Sequence, residues 1–381
     1  MTRSFVSRAF IAAGLIAVLS ACAGSGPKPA SLSKFEPAAK AKVIWRASTD
    51  RAGRYRFVPA IRDDAVYAAG SSGELIRLDA QRGRALWRVE TKTVLSGGVG
   101  LGSDMILLGS ADGEVLAYDL QGKPLWRSRV SSEVLSAPAA GASIVVVRSG
   151  DGKIYGLDPK DGTRKWEYQA TLPSLILRAN PGMVVVNDDA VVAGLPGGKL
   201  IVLALSTGAL LWEATVATPR GDNELERIAD VAGTPLVEPD RVCAVTFQGR
   251  VGCYETSKGT QIWGRPASSA GGLGADSGAV YYSTDTGSVV ALDKAAGSSI
   301  WTQEKLFQRK VSAPLAFQDW IVVGDYKGYV HFLSREDGSF AARISTDGSE
   351  ISVQPVAFGD KVLVQTNKGG LFAIAIAQRK K

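Results

Sequence analysis

Cys22 carries the most specific chemistry in this chain. It closes Leu19-Ser20-Ala21-Cys22, the pattern of a bacterial lipobox. Small residues there fit the signal peptidase, and the thiol accepts a diacylglyceryl group. Upstream, Arg3 and Arg8 form a short basic region. Ala9 to Leu19 is small and apolar, about the length of a signal h-region and too short to span a bilayer. Lipidation at Cys22 is therefore expected, and several acyl chains together give stable anchoring where one alone is marginal. An ordinary secretory signal with an incidental Cys is the alternative. Residue 23 is Ala and not Asp, which by the sorting rule for such lipoproteins favours the outer membrane.

The remaining reactive residues are few. Cys243 and Cys253 lie on consecutive apolar runs centred on Gln248-Gly249. Counting outward from that turn sets them opposite each other, at a separation that overlaps disulfide reach. In an oxidising periplasm a bridge is expected; two buried thiols is the other reading. The single His, His331, sits in the alternating run Tyr329-Val330-His331-Phe332, where packing is a more usual role than catalysis. One His excludes a His/Cys metal cluster and a Ser-His-Asp triad. Gly98-Val99-Gly100-Leu101-Gly102 looks like a nucleotide loop, but it lies at a blade's inner strand with no helix after it, so turn glycines are expected. Acidic turns such as Asp112-Gly113 and Asp151-Gly152 read as turns that tolerate positive φ and not as calcium loops. The net charge of +7 falls to +5 once Arg3 and Arg8 are removed, and the basic residues are scattered. Nucleic-acid binding would need a concentrated stripe.

The elements that position these residues follow from an internal repeat. Seven of the eight Trp form a series: Trp45, Trp87, Trp126, Trp166, Trp212, Trp263 and Trp301, spaced 38 to 51 residues apart. Six of them follow a Gly by four residues, as in Gly83-Arg84-Ala85-Leu86-Trp87. Gly338 opens the same frame once more, with Ala342 in the Trp slot. A second landmark starts each unit: Pro59, Gly98, Pro138, Pro181, Pro235, Leu273, Pro314 and Pro355, with Leu273 placed by counting alone. Between landmark and Trp lie an apolar run, a turn, an alternating run and a second turn, which makes four short antiparallel strands. Units of about forty residues with four strands are propeller blades.

Eight landmarks predict an all-β, eight-bladed propeller. After Pro355 there is room for only three strands, and Lys42-Val43-Ile44-Trp45 is a fourth strand with no blade before it. The leading strand is expected to complete the last blade and close the ring. The Trp are expected to brace neighbouring blades. The chain then divides into a signal peptide (1–21), a lipidated Cys with a flexible tether (22–41) and a propeller (42–381).

Loops carry the departures from a repeat. The connection from Trp slot to next landmark is 10 to 15 residues everywhere except Trp212 to Pro235, which takes 23; Trp166 to Pro181, at 15, is second. Both run from the outer strand of one blade to the inner strand of the next, so they share a face and lie side by side. The first contains Leu175-Ile176-Leu177-Arg178 and the second Asp222 to Asp230. Apolar residues beside an Arg and several acids suit protein docking.

The lipobox, the Trp-marked repeats and these two loops together resemble the BamB family, lipoproteins of the outer-membrane β-barrel assembly machinery. The resemblance covers essentially the whole chain. It implies a non-catalytic scaffold without cofactor that docks on the periplasmic domains of BamA and assists insertion of β-barrel proteins. Leu175, Leu177, Arg178 and Asp230 would contact the partner, and unfolded outer-membrane protein chains would be further partners. In place of the family's Asp-x-Asp-x-Thr-Pro the chain has Asp230-Val231-Ala232-Gly233-Thr234-Pro235, so the second acid is missing. The repeat alone also fits a quinoprotein dehydrogenase using pyrroloquinoline quinone and calcium, or a generic structural propeller lipoprotein. The dehydrogenase reading lacks an adjacent Cys pair and the added active-site loops.

Overall fold

The computed structural model describes residues 27–178 and 181–378. Cys22 and the signal segment lie outside the described residues. The eight expected units are eight antiparallel sheets of four strands each, arranged as blades round an axis. Seven of their inner strands begin at or just after the landmark, from Ala60–Arg62 in blade 1 through Met183–Val186 in blade 4 to Val356–Phe358 in blade 8, and that of blade 2 begins three residues before Gly98. The counted position Leu273 opens the inner strand Leu273–Ala275 of blade 6. Gly98 to Leu101 lie within the inner strand Leu95–Leu101 of blade 2, so the run has the expected place at the inner strand, while Gly98 and Gly100 are strand and not turn glycines.

Closure is made by the leading strand. Ala39–Ser48 pairs antiparallel with Gly370–Gln378, from Ala39 opposite Gln378 to Ser48 opposite Gly370. Blade 8 is thus built from both ends of the described chain, and no blade edge between first and last is left to pair elsewhere.

The Trp series explains its own spacing. Trp126 Nε1 donates to Pro159 O at 2.8 Å, and Trp166 Nε1 to Leu205 O at 2.8 Å; both acceptors belong to the next blade. Trp45, Trp212, Trp263 and Trp301 make the same bond, always to the residue that opens the next blade's outer turn. The turn glycine then lies under the indole. Gly162 has φ 73°, and a Cβ there would fall 2.5 Å from the ring of Trp126. A Gly four residues before one Trp is therefore the seat for the Trp of the preceding blade. Trp87 is the exception: its acceptor would be Leu120 O, which Arg77 Nη1 approaches at 3.4 Å, and Trp87 Nε1 has no partner.

The Ala at slot 342 has a topological cause. In blade 8 the two outermost strands come from opposite ends of the chain, so the outer turn that would seat a ring from blade 7 does not exist. Ala342 is buried against the leading strand's side of blade 8 instead.

Two features depart from the sequence reading. A fifth strand, Arg56–Phe57, pairs in parallel with Gly97–Gly98 of blade 2, so the connection from blade 8 to blade 1 reaches towards the axis. The expected flexible tether is also shorter than residues 22–41. Ala30 N donates to Phe307 O, Phe35 stacks on Phe340 at 5.4 Å, and the closing strand begins at Ala39. Backbone acceptors and an aromatic surface on blades 6 and 7 hold a segment whose composition alone reads as linker.

Candidate docking face

Strands of a blade alternate direction, so the outer-to-inner connections emerge on the same face as the hairpin between the second and third strands. On that face the two long connections meet between blades 3, 4 and 5. Leu177 N donates to Asp230 Oδ2 at 2.6 Å, crossing from the first connection to the second. Asp230 Oδ1 accepts from Gly197 N, at the short helical turn Pro196–Gly198 of blade 4, at 2.9 Å. Ser174 Oγ donates to Glu224 Oε2 at 2.5 Å, and Gly182 N to Thr234 Oγ1 at 3.0 Å. The loops are therefore one bonded surface.

Asp230 differs from expectation. It is 2% exposed, so its carboxylate does not face outward to a partner. Its two oxygens tie three segments together, and Arg148 adds a counter-charge. Burial pushes the Arg148 guanidinium down to about 10, while Asp230 pulls it back up, so Arg148 is charged at neutral pH. Asp230 is a positioning residue. Ala232, where the second acid is missing, is buried too and lines the axial channel, away from the outward surface.

What the surface presents is apolar with one cation. Leu175 is exposed, Ile176 and Leu177 are half-buried, and Arg178 is exposed. Arg178 pairs with Glu133 of the connection between blades 2 and 3, with Nε 3.0 Å from Oε1. Its guanidinium also lies 6.0 Å from the ring of Tyr55. Beside it a cleft of about 200 Å³ runs between Leu172, Leu177, Arg148 and Asp230. Tyr55 was missed by the loop-length argument, because its connection is only 14 residues long. Leu225, within the Asp222 to Asp230 loop singled out from the sequence, is 68% exposed in the longest connection. That loop is braced internally, with Asn223 and Glu226 exchanging bonds at 2.8 and 3.1 Å.

The other singled-out residues lie elsewhere. Cys243 and Cys253 are directly opposed in blade 5, and the structure joins them in a disulfide. His331 is fully buried in blade 7, between Asp325 Oδ2 at 2.9 Å and Arg343 Nε at 3.1 Å. Among the described residues no group of three or more His, Cys, Asp or Glu side chains converges as metal ligands would.

The axial channel, about 690 Å³, is where a quinone and calcium would have to sit in this architecture. Its described lining is mostly small or apolar, with Arg56 and Gln354 among the few polar groups and no carboxylate. Gln354 Nε2 already bonds Leu273 O and Pro314 O. The donor set does not fit that pair, and no chemistry is derived through it.

Fold and loops define a class: an eight-bladed propeller, braced by tryptophan, with its irregularity gathered on one face. A quinohemoprotein alcohol dehydrogenase from Comamonas testosteroni shares this fold, at TM-score 0.71 and 12% identity over 90% of this chain and 78% of that one. BamB from Moraxella catarrhalis superimposes at TM-score 0.82 with 24% identity, over 88% of this chain and all of that one. The family model of outer membrane protein assembly factor BamB matches residues 71–303 and 287–381. The outer membrane protein assembly factor BamB of Burkholderia pseudomallei is 39% identical over 363 residues, 94% of this chain and 95% of its own length. The chain belongs to the BamB family.

Proposed function

We propose that this protein is a non-catalytic scaffold lipoprotein of the outer-membrane β-barrel assembly complex, held to the outer membrane through lipid on Cys22. Its docking partner is the periplasmic part of BamA, and its role is to assist folding and insertion of β-barrel proteins. One observation carries the reading: Asp230 fixes two neighbouring connections so that Leu175 and Arg178 stand on a preformed apolar and cationic surface. Preformed loops lower the ordering cost of association, and Arg is among the residues that most often carry the binding energy of an interface. Family membership points to the same complex. Unfolded barrel chains are a further partner class under this reading, by strand addition.

The test is recovery of BamA from solubilised membranes by wild type and by Arg178→Glu. The variant is expected to fold and to lose most of the BamA. Equal recovery by both would remove Arg178 from the interface. Mass spectrometry of the N-terminal peptide tests the anchor: an acylated Cys22 supports it, and an unmodified thiol contradicts it.

A further inference from the structure

We propose that residues 30–35 form a fixed strap that launches the lipid anchor from the docking face, at blades 6 and 7, and so turns that corner of the ring onto the lipid headgroups. The inference rests on the lipidation of Cys22 proposed above.

The strap has a built seat. Ala30 N donates to Phe307 O at 2.9 Å, and Arg309 Nη1 donates to Ala30 O at 2.9 Å. Arg343 Nη1 donates to Ser33 O at 3.1 Å, and the Arg343 guanidinium lies 5.0 Å from the ring of Phe35. Both arginines are themselves oriented from within blade 7. Arg309 Nε donates to Asp325 Oδ2 at 2.8 Å, and Arg343 Nε donates to His331 Nδ1 at 3.1 Å. Asp325 and His331 are fully buried. A buried four-residue network that ends on the carbonyls of one peptide is a receptor for that peptide.

The direction of the strap follows from its contacts. Phe35 packs on Phe340, the first residue of blade 7's outer strand, at the face away from the docking loops. Ala30 meets Phe307 and Arg309, in the connection from blade 6 to blade 7, which is of the same class as the docking loops. The chain thus runs up the outside of the ring and leaves it on the docking face. Ala30 lies eight residue steps from Cys22, a reach of at most about 28 Å when fully extended. Were the segment free back to Ala39, the reach would be about 60 Å. The strap halves the slack and fixes its origin.

The exit point suits a bilayer surface. Phe307 is 41% exposed, and Lys28, Lys305, Lys310 and Lys327 are exposed around it. Glu304 is the exposed acid of the same connection. An aromatic ring among lysines matches an anionic headgroup layer, into which the ring inserts while the ammonium groups stay at its surface.

The experiment uses the full-length protein in vesicles of phosphatidylethanolamine and phosphatidylglycerol carrying a headgroup nitroxide. Single fluorophores are attached at Lys310→Cys, on the docking face of this sector, and at Glu336→Cys, on blade 7's opposite face. Quenching several-fold stronger at 310 than at 336 is expected. Phe35→Ala, which releases the strap, is expected to shrink that contrast while the propeller's melting temperature stays close to wild type. Equal quenching at the two sites of a protein that floats with the vesicles would overturn the strap alone. So would an undiminished contrast in Phe35→Ala. Failure to float would overturn the lipidation reading and this proposal with it.

Discussion

Two corners of one face use a buried carboxylate differently. At blades 3 to 5, Asp230 accepts from Leu177 N and Gly197 N and spends both oxygens on arranging loops. The outward surface of those loops is left open, with Leu175, Arg178 and Leu225 exposed. At blades 6 and 7, Asp325 accepts from Lys327 N and Tyr329 N but also from Arg309 and His331. There the network ends on a peptide of the chain itself, Ala30 to Ser33. The same loop class is therefore filled by the chain at one corner and open to another protein at the other.

The largest effect is expected from loss of the Asp325 carboxylate. Asp325→Ala leaves Arg309 without its buried counter-charge and should cost about 3–5 kcal/mol in urea denaturation. Protection of residues 30–35 from hydrogen exchange should fall together with it. A stable variant that keeps its strap would show that the acid does not organise that corner.

Asp230→Ala comes next. It strands two part-buried N–H groups and should cost about 1–3 kcal/mol. Recovery of BamA should drop as well, although the side chain is not outward-facing. Normal recovery by the variant would mean that the loops hold their shape without the tie.

Acid sharpens the contrast, because only the filled corner contains a His. Burial holds the pKa of His331 below its ordinary 6.5, although Asp325 pulls the other way. The folded ring is neutral at a pH where the unfolded chain already takes up a proton. The stability this site contributes is whole above about pH 6.5 and is lost as the pH falls below it, by at most about 1.4 kcal/mol per pH unit. Exchange protection of residues 30–35 should therefore decline as the pH falls from about 6.5 to about 5.5, ahead of residues 172–178. A decline at both corners alike would contradict the assignment to His331.

The smallest effect on stability is expected at the open corner's surface. Leu175→Asp should change stability by less than about 0.5 kcal/mol, since surface substitutions away from buried features seldom do more. Its effect should appear only in recovery of BamA.

The ring was legible in the sequence because its determinants are local and repeated. The eight landmarks, the Gly–Trp frame and the orphan strand around Trp45 are all spacings along the chain, and the blades stand where those spacings put them. Ala342 was legible as a gap in the series, and its cause became visible only once blade 8 was seen to lack an outer turn. The loop pair was legible from length. What Asp230 does was not, because its partners lie 53 and 33 residues away and neither bond has a local signature. The strap was hidden for the same reason: Arg309 and Arg343 reach back 279 and 310 residues to carbonyls that every sequence possesses. Side-chain identity sets periodicity; it does not reveal which backbone group a distant arginine will find.

Docking through the two long connections requires that their face of the ring meets the partner. A photo-crosslinking residue placed at Leu175, on the open corner, and another at Lys160, in blade 3's outer turn on the opposite face, would decide it in intact cells. The account predicts an adduct with BamA from position 175 and none from position 160. Adducts from 160 alone, or equal yields from both, would contradict it.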